Sequence, residues 1–283
     1  MWVTQEDPVM TLLQHPRRRF AHRVAALTLA AAAVALSSCA VNTPAPRSAE
    51  IRVITSGAFT EAYKQLVPLF EKESGHKVIS SFGASMGNAP DAIPTRLARG
   101  EQFDIIILAG PALDGFIKEG KAVAGSRVDL VRSSIGFAVK SGAPKPDIST
   151  VPKLKQALLD AKSIAYSASA SGTYFSTELV QKLGIAEQVL PKSKRILSER
   201  VGTVVARGDA ELGLQQVSEL VPIPGIDYIG PLPDEVQQAT FFSAGIVTGA
   251  KEPEAARALI KFFTSAKAAP VIAKTGLEPV GGK

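Results

Sequence analysis

The chain has 283 residues, 46% of them hydrophobic and 20% charged, with a formal net charge of +6. It is long enough to bury a sizeable core in one or two domains. The positive charge is spread along the chain with no basic run interleaved with aromatics, which excludes nucleic acid as a partner.

The first 39 residues differ from the rest. Arg17, Arg18, Arg19 and Arg23 precede VAALTLAAAAVAL, residues 24–36. This apolar run is shorter than the roughly 20 residues that span a bilayer. A basic flank and a short apolar segment together predict an export signal. The run ends in LSSC, residues 36–39, which resembles the lipobox of bacterial lipoproteins. That resemblance implies a signal over 1–39, lipidation at Cys39, and a periplasmic protein anchored to a membrane by lipid. AVNTPAPRSAE, residues 40–50, reads as a tether.

IRVITS (51–56) predicts a buried strand, and FTEAYKQLVPLFEKESG (59–75) a helix. Ala62, Leu66, Leu69 and Phe70 recur at helical spacing, and Gly75 ends the pattern. HKVISSF (76–82) predicts a strand, AIPTRLARGE (92–101) a short helix, and FDIIILAG (103–110) a central strand. Strands that alternate with helices predict an α/β architecture with parallel sheets. The helix PALDGFIKEGK (111–121) and the extended VDLVRSSIGFAVK (128–140) follow. After SGAPKPDIS (141–149) the pattern restarts with a helix at 151–161, a strand at 163–166 and a helix over 172–183. RILSE (195–199) and AELGLQQ (210–216) read as strands. GIDYIG (225–230), TFFSAGIVTGA (240–250) and an Ala-rich helix at 253–264 close the chain.

GASMG, residues 83–87, has the form of a nucleophile elbow directly after a strand. A serine nucleophile at Ser85 needs a histidine base, which in that fold comes later in the chain. The three histidines, His15, His22 and His76, all precede it. With Cys39 in the lipobox and only His76 outside the signal, no zinc set can form. No Walker or dinucleotide sequence is present, so no cofactor and no metal are expected.

Three loops after predicted strands share a composition: TSGAF (55–59), FGASMGN (82–88) and SASASGTY (167–174). All are uncharged and rich in Gly, Ser and Thr. Ligands of open α/β sheets bind at the carboxyl ends of the strands. The first amides of a helix lack intrahelical partners and carry partial positive charge. Glycine permits close approach, and hydroxyls add donors. Such loops suit an anion, and they make Ser56, Gly57, Ala58, Gly83, Ser85, Ser169, Ser171, Gly172 and Thr173 candidate ligand-binding residues.

In order and spacing, IRVITSGAFTEAYKQLVPLFEKESGHKVISSF, RLARGEQFDIIILAG, SASGTYFSTELVQKLG and ELGLQQ resemble periplasmic solute-binding proteins of ABC importers, in the molybdate- and oxyanion-binding branch. The resemblance implies a two-lobed fold, each lobe a mainly parallel sheet flanked by helices, joined by a two-strand hinge. The extended segments 128–140 and 240–248 then read as crossings. Lobe 1 is 51–131 plus 241–283, and lobe 2 is 132–240, inserted. The family's first-loop serine falls at Ala58, with Ser56 nearby, and its second at Ser85. Its backbone donors fall at Ser171 and near Val201. Its tyrosine falls at Gln216, with Gln215 beside it. The departures at Ala58 and Gln216 weaken the case for molybdate, and two glutamines suit a carboxylate or polyol. Tyr174 and Arg200 could also face such a ligand. The expectation is a monomeric receptor that performs no chemistry and passes a small, molybdate-like anion to a permease in the inner membrane. An organic carboxylate or other small polar solute is the alternative, and a serine hydrolase built on Ser85 a third reading.

Overall fold

The structure, a computed structural model, describes residues 48–281. The segment read as an export signal, Cys39 and most of the expected tether lie outside them. Eleven strands form two sheets: β1 (Glu50–Thr55), β2 (Lys77–Phe82), β3 (Ile105–Ala109), β4 (Val128–Ser133), β5 (Ile135–Lys140), β6 (Ile164–Ser167), β7 (Ser193–Ile196), β8 (Leu212–Gln216), β9 (Ile226–Pro231), β10 (Thr240–Ile246) and β11 (Glu278–Pro279). The first sheet runs β11-β4-β10-β3-β1-β2 and the second β7-β6-β8-β5-β9.

Both sheets are mixed rather than mainly parallel. β1 is parallel to β2 and β3, and β6 to β7 and β8. These are the strand–helix–strand units that alternation predicts. β10 is antiparallel to β3 and β4, and β5 to β8 and β9. The antiparallel strands are those next to the passages between the sheets, where the chain arrives from the opposite end.

β3 reads IIILA and is buried throughout, as a strand covered on both faces must be. Ile105 and Ile107 join the cluster around Phe59, Leu66 and Phe263. Ile106 and Leu108 point the other way, into the cluster with Leu113 and Phe116. The helix Thr60–Ser74 buries Ala62, Tyr63, Leu66, Val67 and Phe70 and stops at Gly75, whose φ of 74° is left-handed. Leu69, expected on that face, is 44% exposed. Tyr63 and Val67 take its place.

Only Ser134 separates β4 from β5, so 128–140 passes directly from one sheet to the other. The return runs through 232–239, and β10 lies wholly in the first sheet. Gln237 ties the two passages together. Its Oε1 accepts from the Ile135 amide at 2.9 Å, and its Nε2 donates to the Ile135 carbonyl at 2.9 Å.

The helix expected over 172–183 starts earlier, at Ala170, and contains a π-helical stretch, Phe175–Leu179. Ser176 Oγ bonds back to the Gly172 carbonyl at 2.9 Å and Thr177 Oγ1 to that of Thr173 at 2.8 Å, competing with the regular ladder. β7 ends at Ile196, leaving Leu197 51% exposed in the following loop. A helix not expected from the sequence, Val201–Arg207, follows and ends at Gly208.

Candidate functional site

A cavity of about 320 Å³ lies where the segments after β1, β2, β6, β7 and β8 converge. Its wall includes Ser56, Gly57 and Ala58 from the first loop, Gly83 and Ser85 from the second, and Ser169 and Ser171 from the third. Arg200, Gln215, Gln216 and Glu219 complete it from the second sheet. Gly172, Thr173 and Val201 are not part of the wall.

In the first loop, the Ser56 amide donates to the Ile107 carbonyl at 2.8 Å, holding the turn against β3. The single turn Gly57–Phe59 then runs into the helix Thr60–Ser74. Ser56 is 2% exposed, and its Oγ has no partner among the described residues. The Ala58 carbonyl accepts from Ser218 Oγ at 2.9 Å, which joins this turn to the helix Val217–Leu220.

In the second loop, a Cβ on Gly83 would lie 2.1 Å from the Asp91 carbonyl oxygen, so only glycine fits. Ser85 is fully buried, and its Oγ accepts from the Ala109 amide at 3.0 Å. The hydroxyl proton remains free to donate. His76 sits beyond the far end of β2, where its Nδ1 accepts from the Ala49 amide at 3.1 Å. Among the described residues, Ser85 therefore has no histidine beside it.

In the third loop, Ser167 Oγ and Ser171 Oγ share a hydrogen bond of 3.1 Å. A Cβ on Gly172 would lie 1.7 Å from the Ser167 carbonyl oxygen. The Thr173 amide donates to the Ser169 carbonyl at 2.9 Å. Both residues build the turn. Tyr174 packs into the core of the second sheet and donates its hydroxyl to the Val236 carbonyl at 2.7 Å.

From the second sheet, the Val201 amide donates to Gln215 Oε1 at 2.9 Å, so this donor is already engaged. Gln215 Nε2 donates in turn to Glu219 Oε1 at 3.0 Å. Gln216 is 1% exposed; its Nε2 reaches Thr240 Oγ1 at 3.4 Å, and its Oε1 has no partner among the described residues.

Glu219 is a titratable residue of the wall that the sequence did not single out. It lies in the first turn of the short helix Val217–Leu220, and acidic residues are common in first turns for capping reasons alone. Its carboxyl lies against the backbone of Gly57, where a Cβ would come within 1.9 Å of Oε1. Burial pushes its pKa from 4.5 up to about 7, against the opposing effects of the Arg200 charge and the Gln215 hydrogen bond. Because the folded-state value lies above the unfolded one, the protonated form is favoured by folding. That contribution is complete below about 4.5 and is lost as pH rises through about 7. The ligand-free protein is expected to lose about 1–3 kcal/mol of stability between pH 5 and pH 8. Urea unfolding at matched ionic strength measures this, and Glu219→Gln should flatten the profile. Glu101 and Asp147, held low by neighbouring cations, act only at lower pH.

Two lobes of mixed sheet with a polar cavity at the strand ends define a periplasmic-binding-protein fold. The chain belongs to the bacterial extracellular solute-binding protein family, whose pattern matches residues 51–278. It is 30% identical over 243 residues, 82% of this chain and 91% of the relative, to the molybdate-binding protein ModA of Azotobacter vinelandii. The solved periplasmic molybdate-binding protein of Azotobacter vinelandii superposes with a TM-score of 0.61 at 20% identity, covering 80% of this chain and 98% of that one. The chain is also 43% identical over 253 residues to aconitate isomerase of a Pseudomonas sp, covering 89% of this chain and 96% of the relative. This last likeness overturns the expectation of a protein that performs no chemistry, because the relative is an enzyme. The missing histidine argued only against a serine hydrolase, and other kinds of chemistry do not need one.

Proposed function

We propose that this protein isomerises an unsaturated organic polycarboxylate of the aconitate class by moving a proton, with Glu219 as the base. One observation carries the reading: Glu219, whose pKa burial pushes up to about 7, shares its cavity with two buried polar atoms, Ser56 Oγ and Gln216 Oε1, that lack partners among the described residues. Buried polar groups are nearly always bonded, so unpaired ones around a cavity point to a polar guest. Turning the Gln216 amide by half a rotation would aim its N–H groups at a carboxylate and let Thr240 donate to its oxygen. Ser85 and the helix-opening residues Gly57, Ala58 and Ser171 add donors. Each donor facing a charged acceptor contributes about 1.5–3 kcal/mol.

The chemistry needs one group that takes a proton and returns it. Removing a proton from the saturated carbon beside the double bond leaves an electron pair shared along three carbons. The C–H bond breaks as an O–H bond forms on Glu219. Returning the proton at the other end of the three-carbon unit moves the double bond. A carboxyl with a pKa near 7 populates both the base and the acid form at neutral pH. The 43% identity to an aconitate isomerase supports this substrate class over a tetrahedral oxyanion. LSSC supports a lipid anchor at Cys39 on the outer side of a membrane, and the importer resemblance supports an ABC permease as partner.

The test is incubation of the protein with trans-aconitate in D₂O, followed by proton NMR. The cis and trans isomers should interconvert, with deuterium entering the carbons that exchange. Calorimetric binding without any change in the spectrum would overturn the reading. A variant at the cavity wall sharpens it. Gly57→Ala places a methyl group where the Glu219 carboxyl sits. That carboxyl is the far end of a flexible side chain, so it should swing away while the fold persists. Turnover should fall about 10- to 100-fold, with a melting temperature close to that of the wild type.

A further inference from the structure

We propose that Arg200, oriented by Glu61, holds a terminal carboxylate of the substrate and so determines which polycarboxylates the cavity accepts. The inference rests on the isomerase reading and names the site's charged contact.

The cavity wall carries five titratable side chains: Lys64, Asp91, Glu199, Arg200 and Glu219. Glu199 is turned toward Arg207, whose Nη1 and Nη2 lie 2.7 and 3.1 Å from its oxygens. Asp91 accepts from Ser198 Oγ at 3.1 Å. Two cations remain for an anionic guest, and both converge on Glu61: Arg200 Nη2 lies 2.8 Å from its Oε1 and Lys64 Nζ 3.8 Å. The Lys64 side chain is 55% exposed and that of Arg200 only 25%. Water screens the first far more than the second.

Arg200 uses one nitrogen for Glu61, and among the described residues its Nε and Nη1 have no acceptor. A guanidinium presents its N–H groups in a planar fork that matches a carboxylate at two points. Arg200 also lies close enough for its charge to act on Glu219, so its anion and the base address neighbouring parts of one guest.

The electronic demand of the reaction selects which carboxylate belongs there. When the proton leaves, the electron pair resides mainly at the two ends of the three-carbon unit. The terminal carboxylates sit on those ends, and the central one does not. A fixed cation at a terminal carboxylate therefore stabilises charge as it develops.

Saturated analogues read binding without turnover. Tricarballylate keeps all three carboxylates, and glutarate keeps the two terminal ones alone. Calorimetry should show that Arg200→Gln weakens both by about 30-fold or more, and by similar factors. Arg200→Lys keeps the charge and loses the fork, so it should weaken both about 5- to 10-fold. Thermal melting checks the fold, and the lysine variant serves if the glutamine variant does not fold. Three results would overturn the proposal: neither ligand weakened, only tricarballylate weakened, or the lysine variant binding like wild type. The second would assign Arg200 to the central carboxylate. These measurements read binding alone, so a wild-type protein that shows the pattern and isomerises nothing would separate failure of the chemistry from failure of the Arg200 assignment.

Discussion

Glu219→Gln is expected to lower kcat for aconitate isomerisation by about 10²–10⁴-fold, the range that a positioned acid–base group contributes. The replacement is nearly isosteric. Its side-chain oxygen can still accept from Gln215 Nε2, which now donates at 3.0 Å, so the wall should keep its shape. KM should change less than about threefold, since the loss falls on the proton transfer rather than on binding. The base works only when ionised, so wild-type kcat/KM should rise with pH through about 7 and then level off, and the residual rate of the variant should show no such step. Stability should move the opposite way. At pH 8 the variant should unfold at higher urea than wild type, because it no longer buries a charge. NMR rates and urea titrations on one pair of proteins test both statements. Asp91 and Glu199 are the other carboxylates on the wall, and both are already engaged by Ser198 and Arg207. A variant that keeps the wild-type rate would therefore remove Glu219 as the base and leave no unengaged carboxylate on this wall to replace it.

The features legible in the sequence were those carried by local pattern. β3 could be read because IIILA is apolar on both faces, and the three cavity-lining loops because glycine and hydroxyl residues follow strands directly. What stayed hidden depends on contacts between distant segments. Val201 looked like a free amide donor, but Gln215 folds back onto it. Leu69 fits a helical stripe as well as Tyr63 does, and only the position of the neighbouring sheet decides between them. The second passage between the sheets is irregular, so its extended neighbour β10 attracted the assignment. Glu219 is the sharpest case. Its raised pKa comes from burial, which outweighs the Arg200 charge and the Gln215 hydrogen bond. The bond between neighbouring Ser218 and Ala58 spans a sequence separation of 160 residues. No property of VSEL as a peptide announces a carboxyl with a raised pKa.

Gly172→Ala should be the most damaging small substitution in the third loop, although glycine-to-alanine within a helix ordinarily stabilises by about 1 kcal/mol. Gly172 sits inside the helix Ala170–Tyr174 with ordinary helical backbone, so the left-handed region is not the issue. The obstacle is contact. The new Cβ would lie 1.7 Å from the Ser167 carbonyl oxygen and 2.9 Å from the Ser167 nitrogen. Both are backbone atoms of β6 and cannot rotate away. The strand end and the helix start must separate, which strains the Ser167–Ser171 hydroxyl bond and displaces one wall of the cavity. The expected cost is about 3 kcal/mol or more, or a drop in Tm of roughly 6–12 °C for a domain of this size. Tricarballylate binding should weaken alongside. Gly115→Ala is the matched control: it too lies in a helix, Gly110–Lys118, but nothing stands within 4 Å of its added Cβ. That variant should be neutral or slightly stabilised, by up to about 1 kcal/mol. If Gly172→Ala instead melts with the control, the helix that starts at Ala170 does not need to lie so close to β6. The third loop would then lose its physical reason for a glycine behind Ser171.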